Sequence, residues 1–255
     1  MEVLIFDTAE AAAQRCAAHL LDMVRENPCA VLGLATGGTM LPVYDRVAAT
    51  YLAEGLSFSQ VTTFNLDEYV GLAVDHGCSY HAYMRVALFD RIDIDLGKTH
   101  IPKGDAVDLA AEARAYEQQI TASGGIDLQL LGIGQNGHIG FNEPTSSLAS
   151  RTRVIVLTEE TRHANRIYFT KLGDTPRRAI TMGIGTILAA KACLVLATGE
   201  VKSDAIAAMI EGPLSARCPA SALQMHPAVT VILDRAAAAG LKLGDDYQRA
   251  HPDGA

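Results

Sequence analysis

Residues 134–144, GQNGHIGFNEP, carry the pattern in this chain that most strongly indicates chemistry. His138 has an amide, Asn136, two residues before it and a carboxylate, Glu143, five residues after it. Such neighbours can hold an imidazole in one tautomer and tune it as a base near neutral pH. The segment contains three glycines, among them Gly137, so we expect another group to approach its backbone closely. It has no second histidine and no cysteine, so the pattern does not require a metal.

A second candidate is the carboxylate pair Asp67 and Glu68, which follows the predicted strand 61–65. Adjacent carboxylates at the carboxyl end of a strand are well placed for proton transfer. Helix capping or a solvated turn is the open alternative for this pair. His81 follows Ser79 and Tyr80 at the start of a predicted helix and could line the edge of the same pocket.

Two further segments are suited to binding an anion. Residues 36–39, TGGT, precede a predicted helix, and their adjacent glycines let backbone N–H groups come close to a ligand. Lys202 lies near the start of a later helix, where its charge opposes the helix dipole unless an anion lies between them. A plain turn and a surface lysine are the open alternatives. The candidate anion-binding residues are Thr36, Gly37, Gly38, Thr39 and Lys202.

These segments follow short apolar runs that alternate with amphipathic helical stretches. Continuous apolar runs are typical of strands covered on both faces, and their alternation with helices predicts a mainly parallel sheet. We therefore predict an α/β fold: a doubly wound, mainly parallel, Rossmann-like sheet with helices on both faces and ligands beyond the carboxyl ends of the strands. The predicted strands are 3–6, 30–34, 61–65, 128–133, 154–157, 179–182, 193–197 and 229–233; the predicted helices are 9–25, 41–52, 80–91, 109–123, 160–170 and 203–211.

The 255 residues show no repeat, low-complexity linker or sharp change in composition, so we predict one α/β domain over 1–255. Residues 244–255 are polar and contain glycine and proline, and we expect them to form a loosely held tail.

Charge and composition exclude several classes of protein. The net charge of −8 argues against nucleic-acid binding, which usually needs a basic surface. The sequence contains no run of 18 apolar residues, so it predicts no membrane span, and its N-terminus does not resemble a signal peptide. The five cysteines are scattered, which argues against a disulfide framework or a zinc site and favours reduced thiols in the cytoplasm.

Six stretches taken together resemble the glucosamine-6-phosphate deaminase/isomerase family: LGLATGGT, VTTFNLDEYVGL, GIGQNGHIGFNEP, SSLASRTR, GIGTIL and LQMHP. They run from about residue 31 to 227 in the order and spacing of that family. The resemblance implies the sugar-phosphate isomerase/deaminase type of fold. It also implies a cytoplasmic enzyme of amino-sugar catabolism that isomerises glucosamine 6-phosphate and releases ammonia by hydrolysis to give fructose 6-phosphate.

The same resemblance implies roles for individual residues. His138, oriented by Glu143 and Asn136, would open the sugar ring, and Asp67 would move a proton between C2 and C1. No cofactor is implied, because the substrate's own aldehyde makes the C2 proton acidic. The phosphate would be held by the TGGT segment and Lys202, with Arg166 as the nearest match to a family arginine, one residue short of the expected spacing.

The family's effector site implies one further expectation. Members activated by N-acetylglucosamine 6-phosphate carry a basic residue two positions after the second arginine of SRTR, where this chain has Ile155. An apolar side chain cannot bind a phosphate, so we expect a non-allosteric enzyme.

Three alternatives stay open: a deaminase of galactosamine 6-phosphate, a hydrolase similar to 6-phosphogluconolactonases, and a non-catalytic sugar-phosphate-binding regulator. The expected partner in each case is a small sugar phosphate rather than a nucleic acid or a membrane. A homo-oligomer is possible, since family members range from monomers to hexamers.

Overall fold

The computed structural model of the protein describes residues 1–166, 169 and 175–252. The strands of this part of the chain are β1 (Glu2–Phe6), β2 (Val31–Leu34), β3 (Thr62–Asn65), β4 (Asp67–Tyr69), β5 (Thr99–His100), β6 (Leu128–Leu131), β7 (Arg153–Val156), β8 (Arg178–Thr181), β9 (Ala192–Ala197) and β10 (Val229–Asp234). The helices are α1 (Ala9–Glu26), α2 (Leu41–Glu54), α3 (Tyr80–Ala87), α4 (Leu109–Ala122), α5 (Glu159–Asn165), α6 (Ile184–Ile187), α7 (Ser203–Ile210), α8 (Arg235–Ala238) and α9 (Gly244–Ala250).

Seven of the described strands form a parallel sheet in the order β1-β10-β9-β6-β2-β3-β5. Strands β2 and β6, at its centre, are buried along their whole length, which explains why their sequences are apolar except for Gln129 of β6. After β2 the chain adds β3 and β5 on one side of this strand, and β6 then pairs with β2 on its other side. Such a reversal opens a crevice at the carboxyl ends of the strands, where ligands bind in open α/β sheets. The predicted fold class is confirmed.

All four candidate segments follow neighbouring strands, β9, β6, β2 and β3. A second sheet, β4-β8-β7, is antiparallel and begins directly after β3. In its register Asp67 pairs with Thr181, and a cluster that includes Tyr69 and Phe141 packs against it. This small sheet takes the chain out of the main sheet at Leu66 and holds Asp67 at the crevice.

Most predicted elements are present, with ends that differ by a few residues. Helix α3 ends at Ala87 instead of residue 91. Helix α5 ends at Asn165, and the rest of its predicted range lies largely outside the described residues. Strands β4 and β5 and the short helices α6 and α8 have no counterpart in the prediction.

The segment expected to form a loose tail contains α9. Tyr247 of this helix packs against the core, and His251 lies 3.8 Å from Glu2 of β1. Its sequence, GDDYQRA, is mostly polar and shows no amphipathic pattern, so the helix could not be predicted from it. Among the described residues, no helix is both long and apolar enough to cross a membrane.

Candidate active site

A cavity of about 280 Å³ opens at the carboxyl ends of β2, β3, β6 and β9. Loops from all four strands contribute to its wall, so residues far apart in sequence meet there. Eight of the residues singled out from sequence line it: Thr36, Gly37, Gly38, Thr39, Asp67, Asn136, His138 and Lys202.

One part of the cavity wall is suited to an anion. Gly37 has a φ of 108°, which favours glycine, and the turn that it begins leads directly into α2. Its carbonyl accepts a hydrogen bond from the Tyr83 hydroxyl at 2.8 Å. Gly199, with a φ of 87°, makes the corresponding turn between β9 and α7. Two helix starts and the Lys202 ammonium thus border this part of the cavity, and burial lowers the pKa of Lys202.

Asp67 is a buried carboxyl with 6% of its surface exposed. Burial, and next the charge of Glu68, raise its pKa to about 8, while hydrogen bonds with Thr181 and the Phe141 N–H act in the opposite direction. A Cβ on Gly140 would lie 3.3 Å from Asp67 Oδ2, so the glycine lets the loop after β6 come close to this carboxyl. A carboxyl with a pKa near 8 can change its protonation state near neutral pH, as proton transfer requires.

His138 belongs to a hydrogen-bonded chain of three side chains. Its Nδ1 lies 2.7 Å from Asn136 Oδ1, and Asn136 Nδ2 lies 2.8 Å from Glu143 Oε2. The ionised carboxylate can only accept, so Asn136 points its NH₂ group toward Glu143 and its oxygen toward the imidazole. The neutral imidazole therefore carries its proton on Nδ1, and Nε2 keeps a free lone pair.

The pKa of His138 is lowered, mainly by burial, and Lys202 lowers it further. Glu143 and Glu160 act in the opposite direction. A lower pKa keeps the imidazole neutral at physiological pH. Its ring lies against Gly134, where a Cβ would come within 2.2 Å of the imidazole.

Glu143 lies behind the cavity wall and does not line it. Its Oε1 accepts a hydrogen bond from Thr158 Oγ1 at 3.1 Å and another from Thr161 Oγ1. Of the groups predicted to be catalytic, it is the one that does not line the cavity, and it bonds to two residues that do, Asn136 and Thr161.

Glu68 and His81, predicted as possible pocket residues, do not line the cavity either. Glu68 Oε2 accepts from the backbone N–H of Tyr80 at 2.8 Å and lies 3.0 Å from His81 Nδ1. Glu68 therefore caps the start of α3 and orients His81. Helix capping was the alternative left open for the carboxylate pair, and it applies to Glu68 and not to Asp67.

Gly137 and Arg166 also lie outside the cavity wall. Gly137 has a φ of 81°, and a Cβ there would lie 2.6 Å from Cys218 Sγ, so this glycine serves the turn and the packing behind it. Arg166 is exposed at the end of α5, and its role in phosphate binding stays a prediction.

Sequence reasoning missed several residues of the wall. Tyr80 stacks its ring on Phe141, with a centroid distance of 6.1 Å. Three others come from α5, and the spacing of Thr161 and Asn165, one helical turn apart, was the signal that could have found these two. The missed polar lining residues are Tyr80, Gln135, Glu160, Thr161 and Asn165.

Comparison with known proteins agrees with this geometry. Residues 6–232 match the family model for glucosamine-6-phosphate isomerases/6-phosphogluconolactonase. The chain is 52% identical to a glucosamine-6-phosphate deaminase of Hahella chejuensis over 97% of this chain and 95% of that protein. It is also 52% identical to one of Rhodopirellula baltica, over 93% of this chain and 95% of that protein.

Two solved structures show the same fold. A monomeric glucosamine-6-phosphate deaminase superposes with a TM-score of 0.92 at 48% identity, covering 94% of this chain and 100% of that one. A 6-phosphogluconolactonase from Trypanosoma brucei superposes with a TM-score of 0.75 at 19% identity, covering 94% and 98%, which is a likeness of fold alone. With a matching family model over most of its length and relatives at about half identity, the chain belongs to the glucosamine-6-phosphate isomerase/6-phosphogluconolactonase family, on its deaminase side.

Proposed function

We propose that this protein converts glucosamine 6-phosphate and water into fructose 6-phosphate and ammonia. The observation that carries the proposal is that Asp67, His138, the TGGT loop and Lys202 line one cavity. A sugar phosphate bound by its phosphate at one end would have its C1 and C2 atoms beside a carboxyl and an imidazole at the other.

Phosphate binding is assigned to the TGGT loop and Lys202. The loop offers backbone N–H groups and two hydroxyls, and the lysine adds the positive charge that a protein of net charge −8 must supply locally. A bound phosphate would offset the cost of holding the partly buried Lys202 ammonium near a helix start.

Ring opening is assigned to His138. Nε2 takes the proton of the anomeric hydroxyl, the C1–O5 bond breaks, and the proton is delivered to the ring oxygen, which becomes the C5 hydroxyl. The product is the open-chain aldehyde. The Asn136 contact with Nδ1 leaves Nε2 free for both transfers, and Glu143 stabilises the imidazolium that forms between them.

Isomerisation is assigned to Asp67. The ionised carboxylate removes the C2 proton, which the C1 aldehyde makes acidic, and returns a proton to C1. The nitrogen at C2 becomes an imine as one of its protons passes to the C1 oxygen, which becomes a hydroxyl; water then adds to C2, and ammonia leaves to give the ketone of fructose 6-phosphate. A carboxyl whose pKa is about 8 binds the removed proton well enough to carry it between the two carbons.

The substrate preference is tested by offering three sugar phosphates to the purified protein. We expect ammonia and fructose 6-phosphate from glucosamine 6-phosphate, little ammonia from galactosamine 6-phosphate, and no acid release from 6-phosphogluconolactone above the spontaneous rate. Lactone hydrolysis without ammonia release would overturn the proposal in favour of the lactonase branch of the family. Release of ammonia from galactosamine 6-phosphate but not from glucosamine 6-phosphate would make galactosamine 6-phosphate the substrate.

We also propose a cytoplasmic location for this activity. Support comes from the cysteines: all five are free thiols, and three of them are buried. Unpaired thiols are typical of proteins that stay in a reducing compartment.

A further inference from the structure

The contacts of Glu143 connect α5 to the imidazole. Thr158 is the N-cap of α5, and its Oγ1 both donates to Glu143 Oε1 at 3.1 Å and accepts from the Thr161 N–H at 3.2 Å. Thr161, in the first turn of the same helix, donates its hydroxyl to the same carboxylate oxygen. The other oxygen, Oε2, accepts from Asn136. The carboxylate is therefore held on one side by α5 and on the other by the loop that carries His138.

Neutral donors supply almost all of this support. Glu143 is 7% exposed, and among the described residues the only basic side chain within 4 Å of its carboxylate is the neutral imidazole of His138, whose Nδ1 lies at 3.6 Å. Hydrogen bonds to an ionised group are stronger than those between neutral groups, so the loss of one leaves the carboxylate noticeably less well held.

The position of Oε2 decides the orientation of Asn136. Only a carboxylate that faces Asn136 Nδ2 makes the amide point its oxygen at the imidazole. If the Thr161 hydroxyl is lost, Oε1 keeps only the longer hydrogen bond from Thr158, so the carboxylate is freer to rotate about its side chain and the amide can turn over. A reversed amide would present NH₂ to Nδ1, and the proton would then move to Nε2, the atom that must accept the proton of the substrate.

We propose that Thr161 is a positioning residue for His138: through Glu143 and Asn136 its hydroxyl keeps the imidazole in the tautomer with a free Nε2. The catalytic consequence rests on the proposed function, because it concerns the ring-opening step. The tautomer itself is a property of the free protein.

The test compares Thr161→Val, which keeps the shape of the side chain and removes the hydroxyl, with Thr161→Ser, which keeps the hydroxyl. Nitrogen NMR of the histidine rings reads the His138 tautomer directly. We expect the wild type and Thr161→Ser to show the Nδ1–H form and Thr161→Val to show a substantial Nε2–H fraction. With glucosamine 6-phosphate, kcat of Thr161→Val should fall by about 10-fold to 100-fold, the loss expected for one hydrogen bond to a charged group.

The pH profile adds a second signature. Glu143 raises the pKa of His138, so a carboxylate that has moved away stabilises the imidazolium less. The pH below which kcat/KM falls because His138 is protonated should therefore shift downward in Thr161→Val, while Thr161→Ser keeps the wild-type profile.

Thr186→Val is the matched control. Thr186 is also buried, and its Oγ1 donates to a carboxylate, Glu117 Oε1, at 2.5 Å, far from the imidazole in the hydrogen-bond network. Thr186→Val should be less stable than the wild type but should keep the wild-type tautomer of His138 and the wild-type pH profile of kcat/KM. If Thr161→Val does not fold, Thr161→Ala removes the same hydroxyl and carries the same expectations.

A wild-type tautomer and profile in folded Thr161→Val would overturn the proposal, as would equal changes in Thr186→Val. A wild type without deaminase activity would instead contradict the proposed function, and the NMR result would still decide the role of Thr161.

Discussion

Asn136 Oδ1 lies 2.7 Å from His138 Nδ1, and this contact determines which ring nitrogen is free to act as a base. An asparagine is uncharged, so it orients the imidazole without stabilising its protonated form as a carboxylate would. The charge that stabilises the imidazolium comes from Glu143, whose Oε2 is 3.6 Å from Nδ1. Orientation and charge are thus supplied by different residues, and substitutions can change them separately.

Asn136→Asp should raise the pKa of His138, because it places a negative charge in direct contact with Nδ1. A base must be neutral to accept a proton, so the acidic step of the kcat/KM profile that belongs to His138, which lies below the step of Asp67 near pH 8, should move to higher pH by about one unit. Initial rates of ammonia release between pH 5 and 9 measure the shift. Gln135→Glu adds the same charge to the same loop without contacting Nδ1 and should shift the profile less; equal shifts would contradict the assignment.

Glu68→Gln should lower the pKa of Asp67, because the charge of Glu68 is one cause of its rise to about 8. Asp67 must be ionised to remove the C2 proton, so the rise in kcat/KM near pH 8 should move to lower pH and the variant should gain activity relative to its maximum at pH 6 to 7. Glutamine keeps an oxygen that can accept from the start of α3. Glu160→Gln, which removes a cavity carboxylate that does not affect Asp67, should leave this rise in place. An unchanged profile in Glu68→Gln would disprove the coupling.

Gly134→Ala should displace the imidazole of His138 and so lower the activity. A Cβ at this position would lie 2.2 Å from His138 Cε1, closer than any real contact, so the ring must leave its place over the loop. We expect kcat to fall by about 100-fold, as misplacement of a catalytic group by an ångström commonly costs. Gly77→Ala, where a Cβ meets no atom within 4 Å, is the control and should keep wild-type activity. Near-normal turnover in folded Gly134→Ala would argue against a catalytic role for His138.

N-acetylglucosamine 6-phosphate should not activate the enzyme. Ile155 stands on β7 at the position expected to be basic in activated members of the family, and its side chain packs beside an aromatic cluster. Arg153, which remains, already donates to Asn142 Oδ1 at 2.9 Å and to Ser146 Oγ at 3.2 Å. Saturation curves for glucosamine 6-phosphate should superpose with and without this compound, and a several-fold drop in apparent KM on adding it would refute the expectation.

The sequence predicted six of the seven described strands of the main sheet, all but β5, because most of these strands are apolar runs, and the loops that follow them carry the polar groups of the cavity. It could not predict β4, since the strand Asp67–Tyr69 has a polar sequence and exists through its pairing with β8. For the same reason the different roles of Asp67 and Glu68 were hidden: successive side chains of a strand point to opposite faces, so one lines the cavity and the other caps α3.

The hydrogen bonds that hold Glu143 could not be predicted from the sequence either. Thr158 and Thr161 lie 15 and 18 residues further along the chain, and nothing in that spacing indicates that both hydroxyls meet one carboxylate. The long-range contact is made by the way α5 packs over the loop after β6. The local pattern, an asparagine before and a glutamate after His138, predicted the relay itself because those residues lie within one loop.

In the proposed reaction Asp67 is the group that carries the proton between C2 and C1. The most direct test is ammonia and fructose 6-phosphate production from glucosamine 6-phosphate by the wild type and by Asp67→Asn. Because the buried Asp67 carboxyl has a raised pKa, its ionisation costs stability as pH rises from about 4 through about 8. Asp67→Asn should therefore have a Tm equal to or above that of the wild type at pH 8, so that a loss of activity cannot be ascribed to unfolding.

We predict that the wild type releases ammonia and fructose 6-phosphate in equal amounts and that kcat of Asp67→Asn is lower by at least about 1,000-fold, the scale expected when a catalytic base is removed. Ammonia release by folded Asp67→Asn at a rate near that of the wild type would contradict the account.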